Sequence, residues 1–338
     1  MIPLSYRSIS LISCVSKLMS SVLNNRIQNY CEVEGILCDE QNAYRKKRSC
    51  DDHLFTLTSI IRNRKHMKLP TYACYVDFSK AFDSINYDCL WFKLLNFGIH
   101  GKMLNIIKAM YRNVTAQVKI NGVHSGKFPI KSGVRQGDNL SPTLFSMYLM
   151  DLRDEIQLLN KGFTINGSLV SILLYADDIV LLSDSPEEIQ AMLDKLAEWC
   201  KKWRMIGNSD KTQVMHLRRK SDPRTTFQFK LGNDNIEIVE NYRYLGLCLN
   251  EHLDFTGTVN ELYGSASRAL GGLIAKHLNV GLNFKRFSKL FKSTVAPIMN
   301  YGSCKNYDKC NVLIHRAMRT FMRTGKYTAI PTLFGEMG

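Results

Sequence analysis

The sequence predicts an α+β fold with a sheet in the middle of the chain and helices at both ends. Three observations predict it. Apolar β-type runs cluster between residues 71 and 182. Apolar residues recur at helical spacing directly after residue 185. The stretches before residue 70 and after residue 255 are helix-patterned and basic.

The elements follow in order. The opening segment is helical, with basic clusters at Arg45-Lys46-Lys47-Arg48 and Arg62-Asn63-Arg64-Lys65. Asp51-Asp52 precedes an apolar helical run and caps a helix. Thr71 to Val76 is a β-type run that stops at Asp77. A helix is expected near Asp88 to Phe97, closed by Gly98, and another from Lys102 to Arg112. Val114 to Ile120 and Val123 to Ile130 flank Asn121-Gly122, the dipeptide of a tight hairpin turn. The Gly-rich turn from Ser132 to Gly137 leads into a helix opened by Ser141 and Pro142. Ile172 to Tyr175 and Ile179 to Leu182 read as a hairpin with Asp177-Asp178 at its tip. Ser185-Pro186-Glu187-Glu188 starts the clearest helix, with apolar residues at 189, 192, 193, 196, 199, 200 and 203 on one face.

Composition narrows the class. The chain has 338 residues, 45 Lys and Arg against 30 Asp and Glu, and a net charge of +15. Such an excess attracts a polyanion, most simply nucleic acid. Ten cysteines stand singly with no CxxC pair, which suits reduced core thiols better than a disulfide framework. The spacing of Cys304, Cys310 and His315 matches no zinc-site pattern. The apolar stretch from Ile9 to Leu23 is broken by serines and Lys17, so it reads as an amphipathic helix and not a membrane span.

The carboxylates carry the chemistry. Adjacent aspartates repel, and flanking them with apolar strands raises that cost unless a cation offsets it. On its own, Asp177-Asp178 would be an ordinary surface turn. With Asp77 at the end of another strand, three carboxylates suit two divalent ions held roughly 3.5–4 Å apart for nucleotidyl transfer. Magnesium takes a few carboxylates and leaves its other positions to water and phosphate oxygens. Asp83, six residues past Asp77, is expected to turn away with the chain and serve as a cap or ion-pair partner.

At these residues the sequence resembles the reverse transcriptases of non-LTR (LINE-type) retrotransposons. Tyr75-Val76-Asp77-Phe78-Ser79-Lys80-Ala81-Phe82-Asp83 resembles their first palm motif, and Tyr175-Ala176-Asp177-Asp178 their second metal-binding motif. Gly133-Val134-Arg135-Gln136-Gly137 with Leu140-Ser141-Pro142 is similar to the motif between them. Tyr6-Arg7-Ser8-Ile9-Ser10-Leu11 and Gln41-Asn42-Ala43-Tyr44-Arg45 with Arg48-Ser49 resemble finger motifs. Asn208 with Lys211-Thr212 resembles the fourth palm motif, Tyr244-Leu245-Gly246-Leu247 the primer-grip hairpin, and Tyr301-Gly302 with the basic helix after Cys310 the thumb. The order and spacing agree along nearly the whole chain. Asp138-Asn139 departs from the usual residue-plus-Pro before Leu140, and Ser8 stands where Pro is usual.

The resemblance implies a right-hand polymerase with helical fingers and thumb around an antiparallel palm sheet. It implies partial fingers over 1–69, palm with remaining finger elements over 70–255, and a helical thumb with its extension over 256–338. Asp77, Asp177, Asp178 and the backbone of Phe78 would hold two Mg²⁺ ions, with Mn²⁺ as a substitute. Phe82 would be the steric gate that excludes a 2′-hydroxyl. Phe78, Gln136 and Gly137 would contact the nucleotide, with Arg7 for the triphosphate and Lys211 for pyrophosphate protonation. Arg45, Arg48, Tyr175, Tyr244, Leu245 and Gly246 would contact primer and template. The implied partners are an RNA template, a DNA primer and a dNTP, with no membrane. The implied location is the nucleus after a cytoplasmic ribonucleoprotein stage. The chain begins almost inside the first finger motif, so a fragment or decayed copy is expected. The competing readings are a catalytically silent nucleic-acid-binding remnant and a group II intron-type reverse transcriptase. Phe82 argues against an RNA-templated RNA polymerase, because an aromatic gate clashes with a ribose.

Overall fold

Strand β1 (Thr71–Val76) is buried along its whole length, as expected of a central strand with neighbours on both edges. In the computed structural model, which describes residues 9–165, 167–303, 307–325 and 327–332, β1 lies inside a six-stranded sheet. The helices that precede it are α1 (Cys14–Val33) and α2 (Cys50–His66). The N-cap of α2 is Ser49 and not the expected Asp51-Asp52 pair; those acids lie in the first turn, where Asp52 completes a capping box with Ser49.

After β1 come α3 (Ala81–Ser84), α4 (Tyr87–Asn96) and α5 (Gly101–Tyr111). The next expected pair of long strands is broken into β2 (Thr115–Ala116), β3 (Lys119–Ile120), β4 (Val123–His124) and β5 (Phe128–Pro129). Asn121 and Gly122 make the β3–β4 turn with positive φ of 48° and 84°. These strands are almost wholly exposed, so no core packing extends them.

Then follow α6 (Ser141–Gln157), β6 (Phe163–Ile165), β7 (Ser168–Val170), β8 (Ile172–Tyr175), β9 (Asp178–Ser183) and α7 (Pro186–Trp203). β10 (Gln213–Leu217), β11 (Phe229–Leu231) and β12 (Asp234–Ile238) complete the large sheet, in the order β11-β12-β10-β1-β9-β8. Its pairs are antiparallel except β10 with β12.

Alternation sorts this sheet into two faces. Tyr72, Cys74 and Val76 join the large core together with Ile179, Leu181 and Val214, and with Leu144, Phe145 and Tyr148 of α6 and Leu193, Leu196 and Trp199 of α7. Ala73, Val180 and Met215 are equally buried but lie outside that cluster, on the other face. Lys93 enters the core as a cation, bonded to Asp151 at 2.6 Å and set among the rings of Tyr148, Trp199 and Trp203. Burial pushes its pKa down to about 8.

The chain divides into two units, Met1–His53 with Ile60–Glu240, and Leu54–Ser59 with Asn241–Gly338. The second unit holds the hairpin β13 (Asn241–Tyr244) and β14 (Leu247–Asn250), followed by α8 (Thr256–Val280), α9 (Phe284–Thr294), α10 (Ala296–Asn300) and α11 (Tyr307–Phe321). Ala266, Leu270, Phe287, Val295 and Leu313 form its own core. Among the described residues every cysteine is a free thiol, and no helix is long and apolar enough to cross a membrane.

Candidate active site

Two acids meet across one strand pair. β1 and β9 run antiparallel with Val76 opposite Ile179, so one further step of the register sets Asp77 opposite Asp178. Directly opposed residues of such a pair have Cα atoms about 4.5–5.5 Å apart. Val76 and Ile179 face the large core, so the alternation turns Asp77 and Asp178 toward the opposite face. Asp177 precedes Asp178 in the β8–β9 turn, where Ala176 takes a left-handed φ of 57° and Tyr175 pairs with Asp178. The apolar strands thus deliver three carboxylates to one end of the sheet.

The first acid is fixed by the chain that follows α7. Asp77 N–H donates to Thr212 Oγ1 at 3.2 Å, and Asn208 Nδ2 donates to Asp77 Oδ2 at 3.0 Å. Asn208 N–H also reaches Asp77 O at 2.9 Å, and Ser79 N–H reaches Ile206 O at 2.9 Å. Those two bonds flank the bridge between Phe78 and Gly207, so the N–H and C=O of Phe78 itself take no part in it. The Phe78 ring is buried, 6.2 Å from that of Trp199. Lys211 is exposed on the same turn.

The turn bearing the other acids is held from the amino-terminal segment. Leu174 N–H donates to Glu40 O and Asn42 N–H to Leu174 O, adding residues 40–42 to the edge of β8. Gln41 is fully buried, and its Oε1 accepts from Ala43 N at 3.0 Å and Ala176 N at 3.2 Å. Behind Tyr175 the His53 ring makes an edge contact at 5.6 Å. Tyr44, half exposed, has its phenol pKa raised by burial first and then by the charges of Asp177 and Asp178. Its hydroxyl therefore lies within the field of both acids. Gln41, Tyr44, Asn208 and Thr212 had no role assigned from the sequence. They occur inside the motifs, but hydrogen bonding to a backbone amide leaves no compositional mark.

Phe82 lies at the first turn of α3, half-buried and stacked on Phe145 at 4.6 Å. The Gly-rich turn docks on this segment, with Val134 N–H donating to Phe82 O and Gly133 N–H to Ile85 O, both at 2.8 Å. Gly133 has φ +86°, and a Cβ there would lie 2.7 Å from the Asp83 backbone, so only glycine fits. Asp83 is exposed and turned into α3, as expected. Gln136 and Gly137 run beside Ser10, whose N–H donates to Gln136 O at 2.9 Å.

Arg45 and Arg48 have structural partners. Arg45 forks onto Glu32 at 2.7 and 2.8 Å and bonds the carbonyls of Cys38 and Gln41, with its side chain only 7% exposed. Arg48 pairs with Asp39 and bonds Asn42 Oδ1. Both therefore brace the segment that holds the Asp177 turn. In the second unit, Tyr244 is buried and Leu245-Gly246 form the tip of the β13–β14 hairpin, with Tyr301 Oη donating to Leu245 O at 2.6 Å. Arg7, Tyr6 and Cys304 lie outside the described residues.

Among the described residues no group of three or more His, Cys, Asp or Glu side chains is placed so that it could hold a metal ion. A site of hard carboxylate oxygens at a sheet end, with little competing nitrogen or sulfur, nevertheless suits ions that keep water and phosphate ligands.

Residues 3–249 match the profile of the family described as reverse transcriptase (RNA-dependent DNA polymerase), and the chain belongs to that family. Its relatives are polymerases of non-LTR retrotransposable elements. It is 27% identical over 352 residues to the "Probable RNA-directed DNA polymerase from transposon BS" of Drosophila melanogaster, covering 99% of this chain and 38% of that protein. It is 26% identical to the jockey RNA-directed DNA polymerase of Drosophila funebris, covering 88% and 32%, and 26% identical to the type-1 element R2 polyprotein of Nasonia vitripennis, covering 74% and 25%. The chain thus spans well under half of these relatives. In fold it is similar to apo telomerase from Candida tropicalis, at TM-score 0.54 and 12% identity over 94% of this chain and 51% of the other. Telomerase from the same species with a telomeric RNA fragment gives 0.51 and 13%, over 96% and 53%. The expected right-hand polymerase fold is the observed one.

Proposed function

We propose that the chain is the polymerase core of a non-LTR retrotransposon reverse transcriptase, extending a DNA primer 3′-end on an RNA template with dNTPs. One observation carries this reading: the β1–β9 register sets Asp77 opposite the Asp177-Asp178 turn. The carboxylates of Asp77, Asp177 and Asp178, with the backbone of Phe78, are the groups to hold two magnesium ions, for which manganese can substitute. Bound there, such ions make the 3′-hydroxyl a better nucleophile and neutralise the pyrophosphate charge.

The chain's own residues do the rest. Asn208 and Thr212 keep Asp77 in place before substrate arrives. Gln41 keeps the turn of Asp177 and Asp178 in register with it. Phe82, fixed by its stack on Phe145, lies under the sugar of the incoming nucleotide and rejects a 2′-hydroxyl. Gln136 and Gly137 face the nascent base pair, Arg7 the triphosphate, and Lys211 gives a proton to the leaving pyrophosphate. Tyr175, Tyr244, Leu245 and Gly246 lie against primer and template. Residues 1–69 act as partial fingers, 70–255 as palm and 256–338 as thumb. The site of action is the nucleus, reached from a cytoplasmic ribonucleoprotein.

The test is incorporation of dTTP on poly(rA)/oligo(dT) with Mg²⁺, beside a gel-shift measurement of duplex binding. Template-dependent extension supports the reading. Intact duplex binding with no extension in Mg²⁺ or Mn²⁺ overturns it in favour of a silent nucleic-acid-binding protein.

A further inference from the structure

The backbone and the ring of Tyr175 are held by different residues. Tyr175 ends β8 and pairs with Asp178 across the turn, and Gln41 fixes the backbone of that turn through the amide of Ala176. The side chain meets His53 of α2, whose fully buried ring makes an edge contact with it at 5.6 Å and an interplanar angle of 69°. His53 is fixed in turn by Asn42, whose Nδ2 lies 3.2 Å from His53 Nδ1. Asn42 is buried, and its own N–H donates to Leu174 O at 3.1 Å, one residue before Tyr175. Arg48 completes the chain, with Nη1 donating to Asn42 Oδ1 at 3.0 Å and Nη2 paired with Asp39. Tyr175 itself is half-buried, so part of its surface stays open to solvent.

These bonds define the state of the imidazole. A guanidinium only donates, so Arg48 takes the carboxamide oxygen of Asn42 and turns the amide nitrogen toward His53. His53 Nδ1 is then the acceptor, and the ring proton rests on Nε2. Burial pushes the His53 pKa down to about 4, so the ring stays neutral near pH 7 and the bond keeps its direction. Filling this space alone would call for an apolar side chain, because a buried imidazole facing a buried carboxamide costs desolvation that hydrogen bonding must offset. What the pair adds is direction. With Nδ1 tied to Asn42, the imidazole cannot turn about its last side-chain torsion, and an edge contact between rings depends on the orientation of both.

We propose that His53 is a positioning residue that holds the Tyr175 ring against the 3′-terminal nucleotide of the primer. This rests on the polymerase reading, in which Tyr175 lies against primer and template. His53 then acts on primer placement and not on the acids, which Gln41 and Asn208 hold through other bonds. The test uses the full chain and an RNA–DNA heteroduplex whose primer ends in 5-iododeoxyuridine, which crosslinks under ultraviolet light to an aromatic side chain in contact with it. Wild type is expected to crosslink at Tyr175, read by mass spectrometry. His53→Asn keeps an acceptor for Asn42 without a ring to brace Tyr175, and His53→Leu fills the space with neither. Both should lower the crosslink yield and raise the KM for the heteroduplex several-fold, while kcat at saturating heteroduplex and the Mg²⁺ titration change far less. In a Tyr175→Ala background His53→Asn should shift that KM no further. The crosslink needs no turnover, so a wild type that crosslinks at Tyr175 but extends nothing in Mg²⁺ or Mn²⁺ overturns the polymerase reading and leaves the positioning role supported. Absence of a wild-type crosslink at Tyr175 overturns the proposal, as does a folded His53→Asn or His53→Leu with wild-type yield and KM. A loss equal in size with and without Tyr175→Ala also overturns it, since that marks a purely structural role.

Discussion

Asp77 is positioned from the chain segment after α7, not from its own strand alone. Asn208 donates to its carboxylate and Thr212 accepts from its amide. Groups that orient a metal-binding carboxylate cost about 10–100-fold in metal affinity or activity when removed. Asn208→Ala should therefore raise the Mg²⁺ concentration for half-maximal extension by about that factor, with duplex affinity unchanged. An unaltered Mg²⁺ titration would remove Asn208 from the site. Phe82→Val should raise ribonucleotide use relative to deoxynucleotide use by about tenfold or more, a barrier change of about 1.4 kcal/mol. An unchanged ratio would exclude it as the gate. His53 gives a pH signature. Its burial pushes the imidazole pKa down to about 4, while the unfolded side chain titrates near 6.5. The unfolded chain then binds a proton between those values that the folded chain refuses, so stability is full above about pH 6.5 and falls as pH drops toward 4. Denaturant midpoints of wild type and His53→Gln should diverge across that window, with wild type losing more, and parallel curves would contradict this.

At the scale of elements, the site depends on two dockings that join distant segments. The Gly-rich turn rests on α3 through Gly133, where any side chain meets the Asp83 backbone. Gly133→Ala should destabilise the first unit by at least about 1 kcal/mol and displace Phe82. Thermal unfolding and the ribonucleotide ratio would show both effects, and a native midpoint would refute the contact. Residues 40–42 dock on β8 through Gln41, and Gln41→Leu leaves the amides of Ala43 and Ala176 without their acceptor. A loss of about 1–3 kcal/mol per buried group is expected. Gln41→Glu, which keeps the acceptor oxygen, should recover extension that the leucine variant lacks. These dockings were not legible in the sequence. The runs of β1, β8 and β9, the helix from Pro186 to Trp203 and the Asn121-Gly122 turn were legible, because each follows from local periodicity or local turn chemistry. The ion pairs of Arg45 with Glu32 and of Arg48 with Asp39 were not legible either, because these partners come close only in the fold.

At the scale of the molecule, the sheet explains why one local pair of acids acquires meaning. Asp177-Asp178 alone is an ordinary turn, and Asp51-Asp52 shows how the same dipeptide sits in the first turn of a helix instead. The difference is the antiparallel register of β9 with β1, which no local pattern encodes and which brings an acid from one hundred residues earlier opposite the turn. The central claim is that Asp77, Asp177 and Asp178 act together as one site. The most direct measurement is primer extension on poly(rA)/oligo(dT) by Asp177→Asn/Asp178→Asn, with duplex binding followed in the same preparation. The account predicts extension reduced below detection with binding retained; extension that survives the double substitution would contradict it.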